Sequence, residues 1–241
     1  MLFPAASGRQ PSMPQLTNRG RKERVPRYLY RFIRLERLHD ILRFHHLYAP
    51  RLSEFNDPFE GVVKLGSRDT KKESEIQERV NARARILSFA SGRNTPSHPL
   101  MWAHYAAGHR GVCLKFRMNE WSKAGDLDGW VIRKVRYSIE RPLLDLSHTE
   151  QDTTETLNGI AFTKHRDWRY ENEWRMLCSV KVDCAIYLRF PAKALAEVIF
   201  GLRASNAEKT AARECIRQYF PDTLIREGGP DETNFRVELL P

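Results

Sequence analysis

The sequence of 241 residues lacks the signatures of several common chemistries. It contains no GxGxxG and no GxxxxGK[ST], which excludes a Rossmann fingerprint and a P-loop. It contains no HExxH and no GxSxG, so neither a zincin helix nor a nucleophile elbow is encoded. The 4 cysteines (Cys113, Cys178, Cys184, Cys215) form no CxxC pair, against a zinc ribbon and a thioredoxin-type site. Few cysteines and no signal peptide lead us to expect a reducing, cytoplasmic setting, with the cysteines as small core residues. No run approaches 18 uncharged apolar residues, so no membrane-spanning helix is expected. His104 and His109 are five apart, about 140° around a helix, and His45 and His46 face apart. With no ligand spacing of the usual kind, no metal is expected.

What is present is an ordinary globular balance, 41% hydrophobic and 29% charged. The length suits one large domain or two small ones, and no second boundary is visible. The net charge of +10 is uneven. Residues 1–27 hold Arg9, Arg19, Arg21, Lys22, Arg24 and Arg27 against Glu23 alone. With Pro4, Gly8, Pro11 and Pro14 and no apolar period, they read as a basic, disordered tail before one domain at 28–241. Such a tail is either a solvated arm or a contact for nucleic acid or an anionic surface.

The domain opens with a strand at Tyr28–Ile33, rich in aromatic and branched residues. A short amphipathic helix follows at 35–45, then a strand at Leu47–Ala49 stopped by Pro50. Ser53–Gly61 reads as a loop, and 67–84 as a charged, solvent-facing helix. Strands are expected at Ile86–Ser91, Gly111–Phe116 and Val131–Tyr137, with a compact helix at Leu100–Ala106. Gly159–Thr163 and Glu173–Val180 read as a hairpin or neighbouring strands. The last third reads strand (185–190), helix (around Leu195), strand (198–200), helix (206–219) and two short strands. Strands and helices mix without a βαβ repeat, which predicts an α+β fold.

Three clusters carry possible chemistry. Arg31 lies between aromatics in the first strand. Its guanidinium fork suits a phosphate or carboxylate, or a structural pairing with an acid such as Glu171. In Asp167–Arg175, an extended chain would put Glu171 and Glu173 on one face, about 7 Å apart, with Trp168, Tyr170 and Trp174 opposite. Two such acids would orient a sugar hydroxyl and stabilise positive charge, or simply pair with Arg169 and Arg175. Met101–Tyr105 with Gly108–Val112 is either a packing plug or the lip of a pocket.

The blocks LYRF (29–32), FNDPFE (55–60), LMWAHYAAGHRGVCLKF (100–116), VRY (135–137), TKHRDWRYENEWR (163–175) and IFGLRAS (199–205) resemble the bacterial family called domain of unknown function 2971, from about Tyr28 to Leu240. That family name brings no activity with it. A second resemblance is to ADP-ribosyltransferases, which use an Arg on the first strand, a Ser-centred strand and a late Glu-x-Glu. This chain has Arg31, Ser88-Phe89-Ala90-Ser91 and Glu171-Asn172-Glu173 in that order, without the usual Ser-Thr-Ser form. The resemblance implies a mixed or antiparallel split sheet with flanking helices around a cleft for NAD, the substrate. Glu173 would hold the ribose 2′-hydroxyl and Glu171 would orient the acceptor. Arg31 and Ser88 would bind the dinucleotide, and Tyr30, Trp102 or Tyr105 would stack on nicotinamide. The acceptor would be nucleic acid or protein, in a bacterial toxin or phage-defence role. The alternative is a non-catalytic module that binds nucleic acid or protein in a defence or toxin–antitoxin system.

Overall fold

The computed structural model describes residues 23–62, 64–65, 70–144, 157, 159–180 and 184–240. Residues 1–22 of the expected tail lie outside them. In the remainder of that tail, Val25 packs against the main core and the Arg27 carbonyl accepts the Met118 N–H at 3.0 Å. The chain therefore joins the fold a few residues before Tyr28.

One eight-stranded sheet organises the domain. In chain order its strands are β1 (Tyr28–Ile33), β4 (Ala84–Ala90), β5 (Val112–Arg117), β6 (Val131–Lys134), β10 (Glu173–Ser179), β12 (Leu195–Phe200), β13 (Leu224–Pro230) and β14 (Val237–Leu240). Their spatial order is β14-β13-β12-β5-β1-β4-β10-β6. Only β12 and β13 run parallel within it. Three two-stranded ribbons complete the β-structure: β2 (His46–Ala49) with β11 (Ile186–Arg189), β3 (Lys64–Leu65) with β8 (Leu143–Leu144), and β7 (Arg136–Ser138) with β9 (Thr163–His165). Flanking helices among the described residues include α1 (Leu38–Phe44), α2 (Thr70–Arg83), α3 (Pro99–Tyr105), α4 (Met118–Lys123) and α5 (Asn206–Tyr219). This is the expected α+β class, with helices flanking a mixed sheet.

The joint between β1 and β4 positions the cleft. These strands pair only at Tyr30 opposite Ala90, whereas β1 pairs with β5 over all 6 of its residues and β4 with β10 over 7. The sheet is therefore nearly split there, and side chains at the split open to one side instead of being covered. Strand alternation sends Leu29 and Ile33 into the main core with Leu87, Phe89, Phe116 and Trp174. Tyr30 and Phe32 face a second cluster with Met101 and Trp102 of α3. Two glycines allow the backbones near β1 and β12 to abut. A Cβ on Gly111 would lie 2.1 Å from the Ile33 carbonyl oxygen, and one on Gly201 would lie 2.3 Å from that of His109. Within the GHRGV block, Gly111 thus serves packing.

Several expectations change. Gly159–Ala161 is helical, and Thr163 begins β9, which pairs with β7 and not with β10. The expected strand at 131–137 breaks at Val135 into β6 and β7, because the Val135 N–H turns to the Glu173 carbonyl and that of Arg136 to Phe162. Leu195 starts a strand; only a 3-10 turn at Ala192–Ala194 precedes it. Cys113 and Cys215 are buried, but Cys178 is half-buried and Cys184 exposed.

Candidate active-site cleft

The cleft lies over the β1–β4 split and has a volume of about 290 Å³. That is the lower edge of ordinary ligand pockets, so it takes a nucleoside-sized group more readily than a whole dinucleotide. Tyr30 and Arg31 of β1, Ser88 of β4, Tyr105 of α3, Glu171 and Glu173 all line it. Lys164, Glu54, Asn56 and His104 line it as well. The structure thus brings together six of the seven residues singled out in the sequence. Trp102 is the exception: it is fully buried, its Nε1 donates to the Pro96 carbonyl at 2.8 Å, and Phe32 and His109 cover its ring. No ring face is left for a ligand, so Trp102 is part of the core.

The two acids do not share a strand face as expected. Residues Arg166–Glu171 form a 3-10 helix, Asn172 takes a left-handed conformation at φ 45°, and the strand begins at Glu173. Asn172 is locked there by reciprocal bonds with Ser91: the Asn172 Nδ2 donates to the Ser91 carbonyl at 2.9 Å, and the Ser91 hydroxyl donates to the Asn172 carbonyl at 2.8 Å. This corner turns the chain so that both carboxylates reach one ammonium. Lys164 Nζ is 2.7 Å from Glu171, 3.0 Å from Glu60 and 3.5 Å from Glu173.

Beneath the cleft, Arg175 has no exposed surface. Its Nε and one terminal nitrogen donate to the two oxygens of Glu173 at 2.7 and 3.0 Å. The same terminal nitrogen donates to Glu60 at 2.5 Å, and the other donates to the Ala161 carbonyl at 2.6 Å. Tyr137 Oη accepts the Glu173 N–H at 2.8 Å. The pairing of Glu173 with Arg175, one of two structural readings open from sequence, is therefore real. That of Arg31 with Glu171 is not.

The same surroundings separate the two acids electrically. Burial alone would raise Glu173, but Arg175 and then Lys164 outweigh it, and its pKa is pushed down to about 2. Burial raises Glu171, the Glu173 charge raises it further, and Lys164 only partly compensates, so it rises to about 7. Tyr105 Oη donates to Glu171 at 2.5 Å. Lys164 would be lowered by burial, yet Glu173, Glu60 and Glu171 together hold it above its ordinary value.

Across the split the situation is reversed. Arg31 makes one hydrogen bond, from its guanidinium to the Ser88 carbonyl at 2.7 Å, and rests over the Phe89 ring. Among the described residues it has no ion-pair partner. Burial lowers its pKa to about 10, only partly offset by Glu173. The Ser88 hydroxyl is buried without a hydrogen bond of standard geometry, although it lies near enough to Glu173 to help keep that carboxyl charged. Tyr30 is buried to one side, its hydroxyl pushed up to about 12 by desolvation.

Lys164 and Glu60 are the members of the site that sequence reasoning missed. Their only signal was membership of the TKHRDWRYENEWR and FNDPFE blocks. Among the described residues no group of three or more His, Cys, Asp or Glu side chains is placed to hold a metal, and no helix is long and apolar enough to cross a membrane.

Residues 101–176 match the family described as Protein of unknown function (DUF2971). That stretch contains Tyr105, Lys164, Glu171, Glu173 and Arg175; Arg31, Glu60 and Ser88 lie before it. No curated protein matches the chain. Three solved structures of Thermus sp. 2.9 DarT are similar in outline. The complex with ADP-ribosylated ssDNA is 17% identical with a TM-score of 0.40, covering 85% of this chain and 95% of that one. The complex with NAD+ is 16% identical at 0.39, over 83% and 94%, and that with carba-NAD+ is 15% identical at 0.38, over 84% and 95%.

Proposed function

We propose that the protein is an ADP-ribosyltransferase-like enzyme that cleaves the nicotinamide–ribose bond of NAD and passes ADP-ribose to a macromolecular acceptor. One observation carries the reading: Arg31, a cleft arginine without an ion-pair partner, faces across a narrow split to a carboxylate held permanently charged. A half-buried cation with unused donors gains from an arriving anion, and a diphosphate supplies one. The residues fit NAD in two further respects. The Ser88 hydroxyl is buried near Arg31 without a hydrogen bond of standard geometry, and the Tyr30 and Tyr105 rings line the cleft.

Cleaving the glycosidic bond of NAD generates positive charge on the ribose. Glu173, locked by Arg175, supplies a fixed negative charge that needs no reorganisation when that charge develops. Glu171, with its pKa near neutrality, takes the proton from an attacking acceptor hydroxyl or amine. Lys164 and Tyr105 hold Glu171 in place, and Arg31 holds the diphosphate. The pair follows the general pattern of two acids whose environments push their pKa values apart.

The test is nicotinamide release from NAD, with and without nucleic-acid and protein acceptors. Glu173→Gln is expected to lose on the order of a hundredfold or more in rate. Glu171→Gln is expected to slow transfer more than hydrolysis. A wild-type chain that neither binds nor turns over NAD overturns the reading. In that event the non-catalytic binding module gains, favoured by the saturated bonding of Glu173 with Arg175, which has a purely structural use.

A further inference from the structure

Away from the cleft floor, the β2–β11 ribbon has two unlike faces. Leu47, Ala49 and Leu188 point into the core, and Ile186 packs against it. Strand alternation therefore sends His46, Tyr48, Tyr187 and Arg189 outward, with Tyr187 opposite Tyr48 and Arg189 opposite His46. The outward rings form a row. Tyr48 and Tyr187 are 5.5 Å apart between centroids, Tyr187 and His46 4.4 Å, and His46 and Phe44 5.4 Å. The row is open to solvent: Tyr187 is 51% exposed, Phe44 49% and Tyr48 36%. Arg43 lies over the Phe44 ring, and Arg189 is exposed beside His46. The row also leads to the cleft. Tyr48 Oη donates to both oxygens of Glu54, at 3.0 and 2.9 Å, and Glu54 lines the cleft.

We propose that this face is a stacking platform for single-stranded nucleic acid, running from the lip of the cleft along Tyr48, Tyr187, His46 and Phe44. Half-exposed rings that touch one another and lie outside the core offer π-surface to unstacked bases, and the flanking arginines track the phosphates. Its local charge favours a polyanion: Arg43 lies over Phe44, Arg189 is opposite His46 and Arg51 neighbours Tyr48, against Asp40 near His46 and Glu54, which is tied to Tyr48. A duplex hides its base faces, so single strands are the form that fits. As the route by which an acceptor strand reaches the cleft, the platform rests on the transferase reading. As a binding surface it does not.

The two are separated by measuring binding and turnover independently. Anisotropy of a fluorescein-labelled oligothymidylate is followed at several salt concentrations, beside NAD cleavage and thermal melting. Wild-type protein is expected to bind the single strand more tightly than a duplex of the same length. Tyr187→Ala is expected to weaken binding about tenfold, with melting and nicotinamide release unchanged. Tyr187→Phe keeps the ring and is expected to keep the affinity. Arg189→Ala is expected to lower the salt slope by about 0.7, the value for one single-strand phosphate contact. Equal affinity for duplex and single strand overturns the platform, as does a Tyr187→Ala protein that binds like wild type. Loss of NAD turnover with intact, ring-dependent strand binding overturns the transferase reading and leaves the platform standing.

Discussion

The two sides of the β1–β4 split use the same kinds of side chain to opposite ends. On the β10 side, Glu173, Glu60, Lys164 and Arg175 pair with one another, with Glu60 Oε1 held by the ion pair to Lys164 and no directed hydrogen bond, and the Glu173 carboxylate is driven to a pKa of about 2. Across the split on β1, Arg31 has a single carbonyl acceptor, and at the split itself the Ser88 hydroxyl of β4 makes no hydrogen bond of standard geometry. A guanidinium on one side is bound to two carboxylates and a carbonyl; on the other it has one carbonyl. The difference separates holding from binding. Saturated buried charge fixes geometry and contributes to folding, whereas unsatisfied charge is stability given up for a ligand.

The largest effect should come from breaking the saturated side. Arg175→Met keeps volume but strands Glu173 and Glu60 in the interior. Removing one partner of a buried pair costs about 3–5 kcal/mol, and urea unfolding at neutral pH measures it. A loss under ~1 kcal/mol would mean that water reaches these carboxylates and that the contrast between the sides is unreal.

The next effect is in pH dependence, where the two acids act with opposite sign. Glu173 is lowered from 4.5 to about 2, so its contribution is present above 4.5 and is lost as pH falls through about 2. Glu171 is raised from 4.5 to about 7. Between those values the folded chain binds the extra proton, so stability falls as pH rises from 4.5 through about 7. A shift of that size corresponds to on the order of 3 kcal/mol. Unfolding free energies from pH 4.5 to 8 should show this decline, and Glu171→Gln should remove it. A variant with the wild-type slope would mean that Glu171 is charged throughout, and it would lose the part of proton acceptor.

Where local pattern and tertiary packing agreed, sequence reading worked. Helix α5 was legible as 206–219 because its apolar period is preceded by Ser205 and Glu208, whose side chains cap its first turn reciprocally. Strand β1 was legible at Tyr28–Ile33 from branched and aromatic residues alone. Arg31 and the two acids stood out because charged groups in strand-like runs demand partners, whereas Ser88 stood out only through the resemblance to ADP-ribosyltransferases. The corner at Asn172 was not legible. Alternation through Trp168–Trp174 imitates a strand, and only the bonds to Ser91, 81 residues away in sequence, break it. Lys164 was missed for a related reason: its three carboxylate partners come from two other segments, and no local pattern records such a meeting. Trp102 was misread because, one helical turn before Tyr105 on the same side of α3, it lies deeper: its indole donates to the Pro96 carbonyl and packs against Phe32 and His109.

The smallest effect on folding should come from the unsaturated side, and it sharpens the comparison most. Ser88→Ala removes a hydroxyl that makes no properly directed hydrogen bond in its buried place. Deleting an unpaired buried polar atom relieves its desolvation, while the small loss of help to Glu173 works the other way. The net change in unfolding free energy should stay within about 0.5 kcal/mol. If the hydroxyl waits for a ligand, however, the same variant should weaken NAD binding by roughly five- to tenfold, the worth of one hydrogen bond within a site. Calorimetric titration of NAD beside urea unfolding reads both numbers on one preparation. A folding loss above ~1.5 kcal/mol with unchanged NAD affinity would assign Ser88 to the saturated side after all. It would move the boundary between holding and binding from the β1–β4 joint to Arg31 alone.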